Sequence, residues 1–124
     1  MNEGKDNIIV MKSYSFALGI IGLYKTLGEN KKEFVLSKQM LRGGTSIGAN
    51  IHEAVASVSK KDFINKLGIA GTEVRETSYW LNLLKDSDYI TEENFIQLNK
   101  DCEELARILN SIILTTKERY FKAV

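Results

Sequence analysis

Apolar residues recur at intervals of three and four in four blocks along this sequence, and no proline interrupts them. Such spacing puts apolar side chains on one face of an α-helix, so the pattern predicts four helices. They run from about Asp6 to Gly28, from about Glu33 to Ser57, from Ser59 to about Asp86, and from Thr91 towards the carboxyl terminus. Short connections between long helices favour antiparallel neighbours. We therefore predict an all-α, antiparallel up-down-up-down four-helix bundle, with residues 1–124 as a single domain.

Polar residues at the predicted helix starts support these boundaries. Asp6 or Asn7 can cap the first helix. Ser59, with Asp62 three residues later, resembles a capping box that opens the third helix. Thr91 is followed by two glutamates, and a hydroxyl cap with an acidic first turn suits the positive end of a helix. The fourth helix ends in the basic sequence KERYFK, as the negative end prefers.

Three of the helices show a single apolar seam, which predicts one shared core. The seam of the second helix is Leu36, Met40, Ile47, Ile51, Ala54 and Val58. Those of the third and fourth helices are Phe63, Leu67, Ala70, Val74, Leu81 and Leu84, and Phe95, Leu98, Cys102, Leu105, Leu109 and Ile112. Cys102 is expected to be a small buried side chain.

The first helix carries two apolar stripes where a bundle core needs only one. One stripe is Val10, Tyr14, Ala17, Ile21 and Tyr24, and the other is Ile9, Phe16, Ile20, Leu23 and Leu27. The surplus indicates either a wide core face or a surface that another subunit covers. For the second alternative, Ile9, Phe16, Ile20, Leu23 and Leu27 are the candidate interface residues.

The stretch LRGGTSIGAN, residues 41–50, matches two catalytic patterns in part. It contains G-x-S-x-G, but this motif needs a preceding strand and a histidine beyond a distant acid, whereas the single histidine, His52, follows Ser46 by six residues. The phosphate-loop pattern fails because Ala49 and Asn50 replace the lysine and hydroxyl residue. We interpret the glycines as a helix thinned for close packing, with Gly44 and Gly48 on one side.

Polar residues form a strip on the second helix and another on the third. The first strip is Arg42, Ser46, Asn50 and Glu53, and the second contains Glu73, Glu76, Tyr79 and Trp80. If the strips meet, Arg42 can bind a carboxylate in fork geometry while Asn50 bridges the remaining oxygens. We favour a structural polar seam over a solvated surface or a metal site, because the di-iron pattern needs two Glu-x-x-His repeats. No metal or other cofactor is therefore expected.

Composition points to a cytoplasmic globular protein. Hydrophobic residues make up 44% and charged residues 27%, with a formal net charge of +1. This balance does not indicate a polyanion-binding protein. A single cysteine excludes an internal disulfide and suits a reducing compartment. The longest apolar run, Tyr14 to Tyr24, is far shorter than the ~20 residues of a membrane span, so no membrane association is expected.

The run from Arg42 to Leu84 resembles the signature region of a bacterial four-helix-bundle family, the proteins encoded in intervening sequences of 23S ribosomal RNA genes. The matching elements are Arg42 with Thr45-Ser46-Ile47, Ala49-Asn50-Ile51 with Glu53, Ser59 through Phe63, and Glu73 with Arg75-Glu76-Thr77 and Tyr79-Trp80-Leu81. The resemblance implies a ring-like homopentamer, and it extends to the RNA-binding accessory proteins of diversity-generating retroelements. The label ribosomal-protein-like, often given to the family, reflects gene location.

Two functions remain open. The first is a non-enzymatic oligomeric module that works through protein–protein contacts. The second is an RNA-binding accessory protein, for which the candidate contacts are Lys31, Lys32 and Lys38 near one end of the bundle and Lys60, Lys61 and Lys66 near the other. Oligomerisation would multiply these small clusters around a ring, and such binding would weaken steeply with salt.

Overall fold

The computed structural model describes residues 3–121 and consists of four long helices, which confirms the all-α prediction. They are α1 (Glu3–Thr26), α2 (Val35–Val55), α3 (Lys60–Asp86) and α4 (Glu92–Tyr120). Each helix packs against the next in sequence, and α4 also packs against α1. Joined by short connections, they form an antiparallel up-down-up-down bundle. The predicted domain, 1–124, and the predicted basic end, which includes Lys122, extend beyond the described residues.

The caps of α3 and α4 are those that the sequence predicts. The Ser59 hydroxyl oxygen accepts a hydrogen bond from the Asp62 N–H at 3.1 Å. The Thr91 hydroxyl oxygen accepts one from the Asn94 N–H, also at 3.1 Å. The prediction for α1 is wrong, because this helix begins at Glu3, upstream of the expected cap at Asp6 or Asn7.

The connection from α1 to α2 contains a short π-helix, Leu27–Lys31, which widens the last turn of α1. Lys32 then adopts a left-handed conformation with φ of 53°, and its N–H bonds to the Leu27 carbonyl. This conformation is uncommon for a residue with a Cβ, and here it turns the chain towards α2. Gly28, the predicted end of the first helix, therefore lies inside the π-helical turn that continues α1.

Glu33 caps α2 instead of forming its first turn. Its buried carboxylate accepts hydrogen bonds from the N–H groups of Val35 and Leu36 at 3.0 Å and of Ser37 at 2.8 Å. Burial raises the pKa of Glu33, but these N–H donors and the Ser37 hydroxyl together lower it below its ordinary value of 4.5. The anion also complements the positive end of the α2 dipole.

The predicted seams meet in one core, with one exception. Most seam residues of α2, α3 and α4 are buried, while Leu36 and Leu98 are partly buried against the core. Val58 is wrongly predicted, because α2 ends at Val55 and Val58 lies in the following connection, where it is 99% exposed.

The predicted subunit-interface stripe of α1 is also a core stripe. Four of its members are buried in the bundle: Ile9, Phe16, Ile20 and Leu27. Leu23 is partly buried against the same core. The interface prediction for these five residues is wrong, because the other helices of the same chain already cover them.

The segment Asn7–Lys31 is long and apolar enough to cross a membrane by length and composition alone. A core helix of a bundle passes the same test, and here one stripe is enclosed by the other helices. Nevertheless, only 28% of the apolar window is buried. The packed bundle therefore leaves much of α1 uncovered.

Candidate functional site

The glycines of α2 lie within a continuous helix and allow close approach of its neighbours. A Cβ added to Gly43 would lie 2.8 Å from the Thr77 hydroxyl oxygen of α3, and one on Gly44 would lie 2.9 Å from Ile20 of α1. A Cβ on Gly48 would lie 3.6 Å from the carbonyl oxygen of Ser13. These contacts confirm the interpretation of this segment as a helix thinned for packing, with Gly44 and Gly48 both facing α1.

The same segment lacks the geometry of a nucleophile loop. The Ser46 hydroxyl donates a hydrogen bond of 2.6 Å to the Arg42 carbonyl within α2, and His52 is exposed on the same helix. A nucleophile elbow instead places its serine on a sharp turn after a strand. Within residues 3–121, no group of three or more histidine, cysteine, aspartate or glutamate residues is placed to hold a metal ion.

Arg42 joins the polar strips of α2 and α3. Its Nη1 lies 3.7 Å from Glu73 Oε2, and its Nη2 lies 3.8 Å from Glu76 Oε1. These distances exceed the 2.7–2.9 Å of a charge-assisted hydrogen bond. The guanidinium therefore bridges two carboxylates through one nitrogen each, and the predicted fork on a single carboxylate is wrong.

The remaining members of the α2 strip do not join this bridge. Asn50 Nδ2 donates to the Ser46 carbonyl at 2.9 Å, so the predicted bridging role of Asn50 is wrong. Glu53 instead pairs with Lys66 at 2.8 Å, near the carboxyl end of α2. The hydrogen bond and charge of Lys66 lower the pKa of Glu53. The seam thus consists of two separate ion-pair groups.

Glu73 is the most enclosed charged group of the seam. Its side chain is 15% exposed, whereas that of Arg42 is 56% and that of Glu76 is 51% exposed. Glu73 Oε1 is buried without a hydrogen-bond partner, as is the indole N–H of Trp80. The charge of Glu73 is therefore balanced mainly by Arg42.

Tyr79 and Trp80 extend the seam along α3. Their rings meet edge to face with centroids 5.1 Å apart. Trp80 is partly buried against the core, while Tyr79 is 58% exposed. Trp80 thus lies on the core side of this aromatic pair, and Tyr79 lies on its solvent side.

The α1 outer face, defined as Ile8, Met11, Tyr14 and Leu18, is an exposed apolar surface. Met11 and Tyr14 are each 68% exposed, Leu18 is 54% exposed, and Ile8 is 45% exposed. Their spacing of three and four places them together on the side of α1 away from the core. Sequence reasoning included Tyr14 in a stripe but missed the other three.

A groove runs beside this face, between α1 and α4. Its two depressions have volumes of about 350 and 360 Å³. Ile8 and Met11 line its α1 side, and Glu104, Ile108 and Ser111 lie on its α4 side. We call this surface the α1/α4 groove. Lys12 Nζ and Glu104 Oε1 form an ion pair between the two helices at 3.3 Å. The groove is therefore lined by charged as well as apolar side chains.

The predicted basic clusters lie on opposite ends of the bundle. Lys31, Lys32 and Lys38 are exposed around the α1–α2 connection. At the other end, Lys60 lies 4.9 Å above the ring of Tyr120, and Lys66 is paired with Glu53. Lys61 is exposed, so the three predicted residues at this end differ in their availability to a partner.

Cys102 is a buried thiol inside the core. Burial, with smaller contributions from the charges of Asp101 and Glu103, raises its pKa to about 12. A thiol with so little thiolate is a poor nucleophile, and this agrees with its expected packing role.

The fold and its contacts define a small antiparallel four-helix bundle with a glycine-thinned second helix and an arginine–glutamate bridge to the third. The model of the 23S rRNA-intervening sequence protein family matches residues 5–111, and the chain belongs to this family.

A solved structure supports the same assignment. It is that of a protein of unknown function from the S23 ribosomal protein family of Bacteroides thetaiotaomicron VPI-5482. The sequences are 54% identical, with 89% of this chain and 98% of that chain covered and a TM-score of 0.88. No curated protein matches the chain.

Proposed function

We propose that this protein is a non-enzymatic assembly module, a homo-oligomer whose subunits associate through the α1 outer face. The observation that carries the proposal is the exposure of four large apolar side chains on one helix face. Contiguous apolar surface is a feature of protein–protein interfaces. Burying Met11, Tyr14 and Leu18 between subunits would remove apolar area from water and so favour association.

The proposed assembly is a ring of five subunits in the cytoplasm. The number five rests on the resemblance to the family. The cytoplasmic location rests on the sequence having a single cysteine and so no internal disulfide, which suits a reducing compartment.

The experiment is a light-scattering mass measurement on the wild-type protein and on two matched variants. Leu18→Glu places a charge on the α1 outer face, and Ile96→Glu places one on α4. These side chains are 54% and 55% exposed, so the variants differ in location more than in burial. We expect a mass near five subunits for the wild type and Ile96→Glu, and a single-subunit mass for Leu18→Glu.

Circular dichroism must show equal helix content in the three proteins, so that loss of assembly is not loss of folding. A monomeric wild type contradicts the proposed function. An unchanged oligomer in Leu18→Glu shows that subunits meet through another surface.

A second candidate function, RNA binding, is favoured by one feature of the fold. The antiparallel α4 brings Lys117 and Arg119 to the end of the bundle that carries Lys60 and Lys61. The ring would repeat this basic group five times. Phosphate contacts by several such groups would produce strongly salt-dependent binding.

The test of RNA binding is a titration with a mixed pool of structured RNA at low and high salt. We expect Lys61→Glu to weaken low-salt binding. Lys100→Glu, the same charge reversal at an exposed residue of α4 outside both predicted clusters, is the control. Absence of binding by the wild type at low salt excludes this function and leaves the assembly module.

A further inference from the structure

We draw no further inference here: the strongest candidate, the α1/α4 groove, carries nothing, because Lys12 and Arg107 balance the charges of Asp101 and Glu104 in its lining and nothing in the structure shows what covers it.

Discussion

Gly44 of α2 packs directly against the Ile20 side chain of α1. A Cβ on Gly44 would lie 2.9 Å from two carbon atoms of that side chain. Ile20 is fully buried and β-branched, so it has little freedom to move away. The absence of a side chain at Gly44 therefore sets the separation between α1 and α2.

This contact predicts that Gly44→Ala is destabilising although alanine is the better helix former. Overpacking a core typically costs ~1–3 kcal/mol, which exceeds the ~0.5–1 kcal/mol gained from helix propensity. We expect a net loss of about 1–2 kcal/mol in the free energy of unfolding. Denaturant titration measures this change.

Gly68→Ala on α3 is the matched control. A Cβ at Gly68 meets no atom within 4 Å, so only the propensity gain remains, and we expect stabilisation of about 0.5–1 kcal/mol. Equal effects of the two substitutions would show that the Gly44–Ile20 contact does not limit packing.

Glu33→Gln tests the carboxylate cap of α2. The change replaces a charged acceptor of three backbone N–H bonds, and we expect a loss of about 1–2 kcal/mol at neutral pH. Because the folded pKa of Glu33 is lowered, its contribution is present above the ordinary value of 4.5 and is lost as pH falls through the folded pKa.

The difference in unfolding free energy between wild type and Glu33→Gln should therefore shrink below pH 4.5. Urea titrations across the acid range measure it. Glu29→Gln, an exposed acid-to-amide change in the preceding turn, is the control. A difference that does not depend on pH would rule out a charged cap.

Arg42→Ala tests the bridge between α2 and α3. A fully buried pair would lose ~3–5 kcal/mol and an exposed pair ~0.2–1 kcal/mol, so this half-exposed arginine with a mostly enclosed Glu73 should lose about 1–2 kcal/mol. Adding Glu73→Gln should restore part of this loss by removing the uncompensated charge. Urea unfolding, followed by fluorescence of the single tryptophan, Trp80, measures both effects.

Glu76→Gln is the internal control for this cycle, because Glu76 is half exposed and should contribute no more than ~0.5 kcal/mol. Additive effects of Arg42→Ala and Glu73→Gln would mean that the two side chains are not coupled.

The helices were predictable where one physical signal dominates. Ser59 and Thr91 indicate the starts of α3 and α4, because short hydroxyl side chains accept hydrogen bonds from the free N–H groups at a helix start. Glu33 gives no comparable signal, since its longer side chain caps α2 only after Lys32 reverses the chain direction. That reversal depends on the packing of α1 against α2.

The surfaces of α1 were harder to assign because this helix is apolar on more than one side. Periodicity grouped Ile9, Phe16 and Ile20 correctly but could not decide whether they face the bundle or a second subunit. In the structure these three residues are buried inside the bundle, and the exposed apolar residues of α1 include Met11 and Leu18 instead. In the polar seam, the sequence correctly predicted that Arg42 meets glutamates of α3. It could not predict that Asn50 bonds to the Ser46 carbonyl instead of joining Arg42, because side-chain conformations depend on tertiary packing.

Gly43 and Gly44 have a consequence for how this protein can change over evolutionary time. They limit the approach of α3 and α1 through close contacts with the Thr77 and Ile20 side chains, on the inner side of the bundle. Tyr14 and Leu18 point away from those contacts and can vary without moving them. A lineage could therefore gain, lose or redirect its assembly partner by altering a few outward residues, while inheriting the same bundle unchanged.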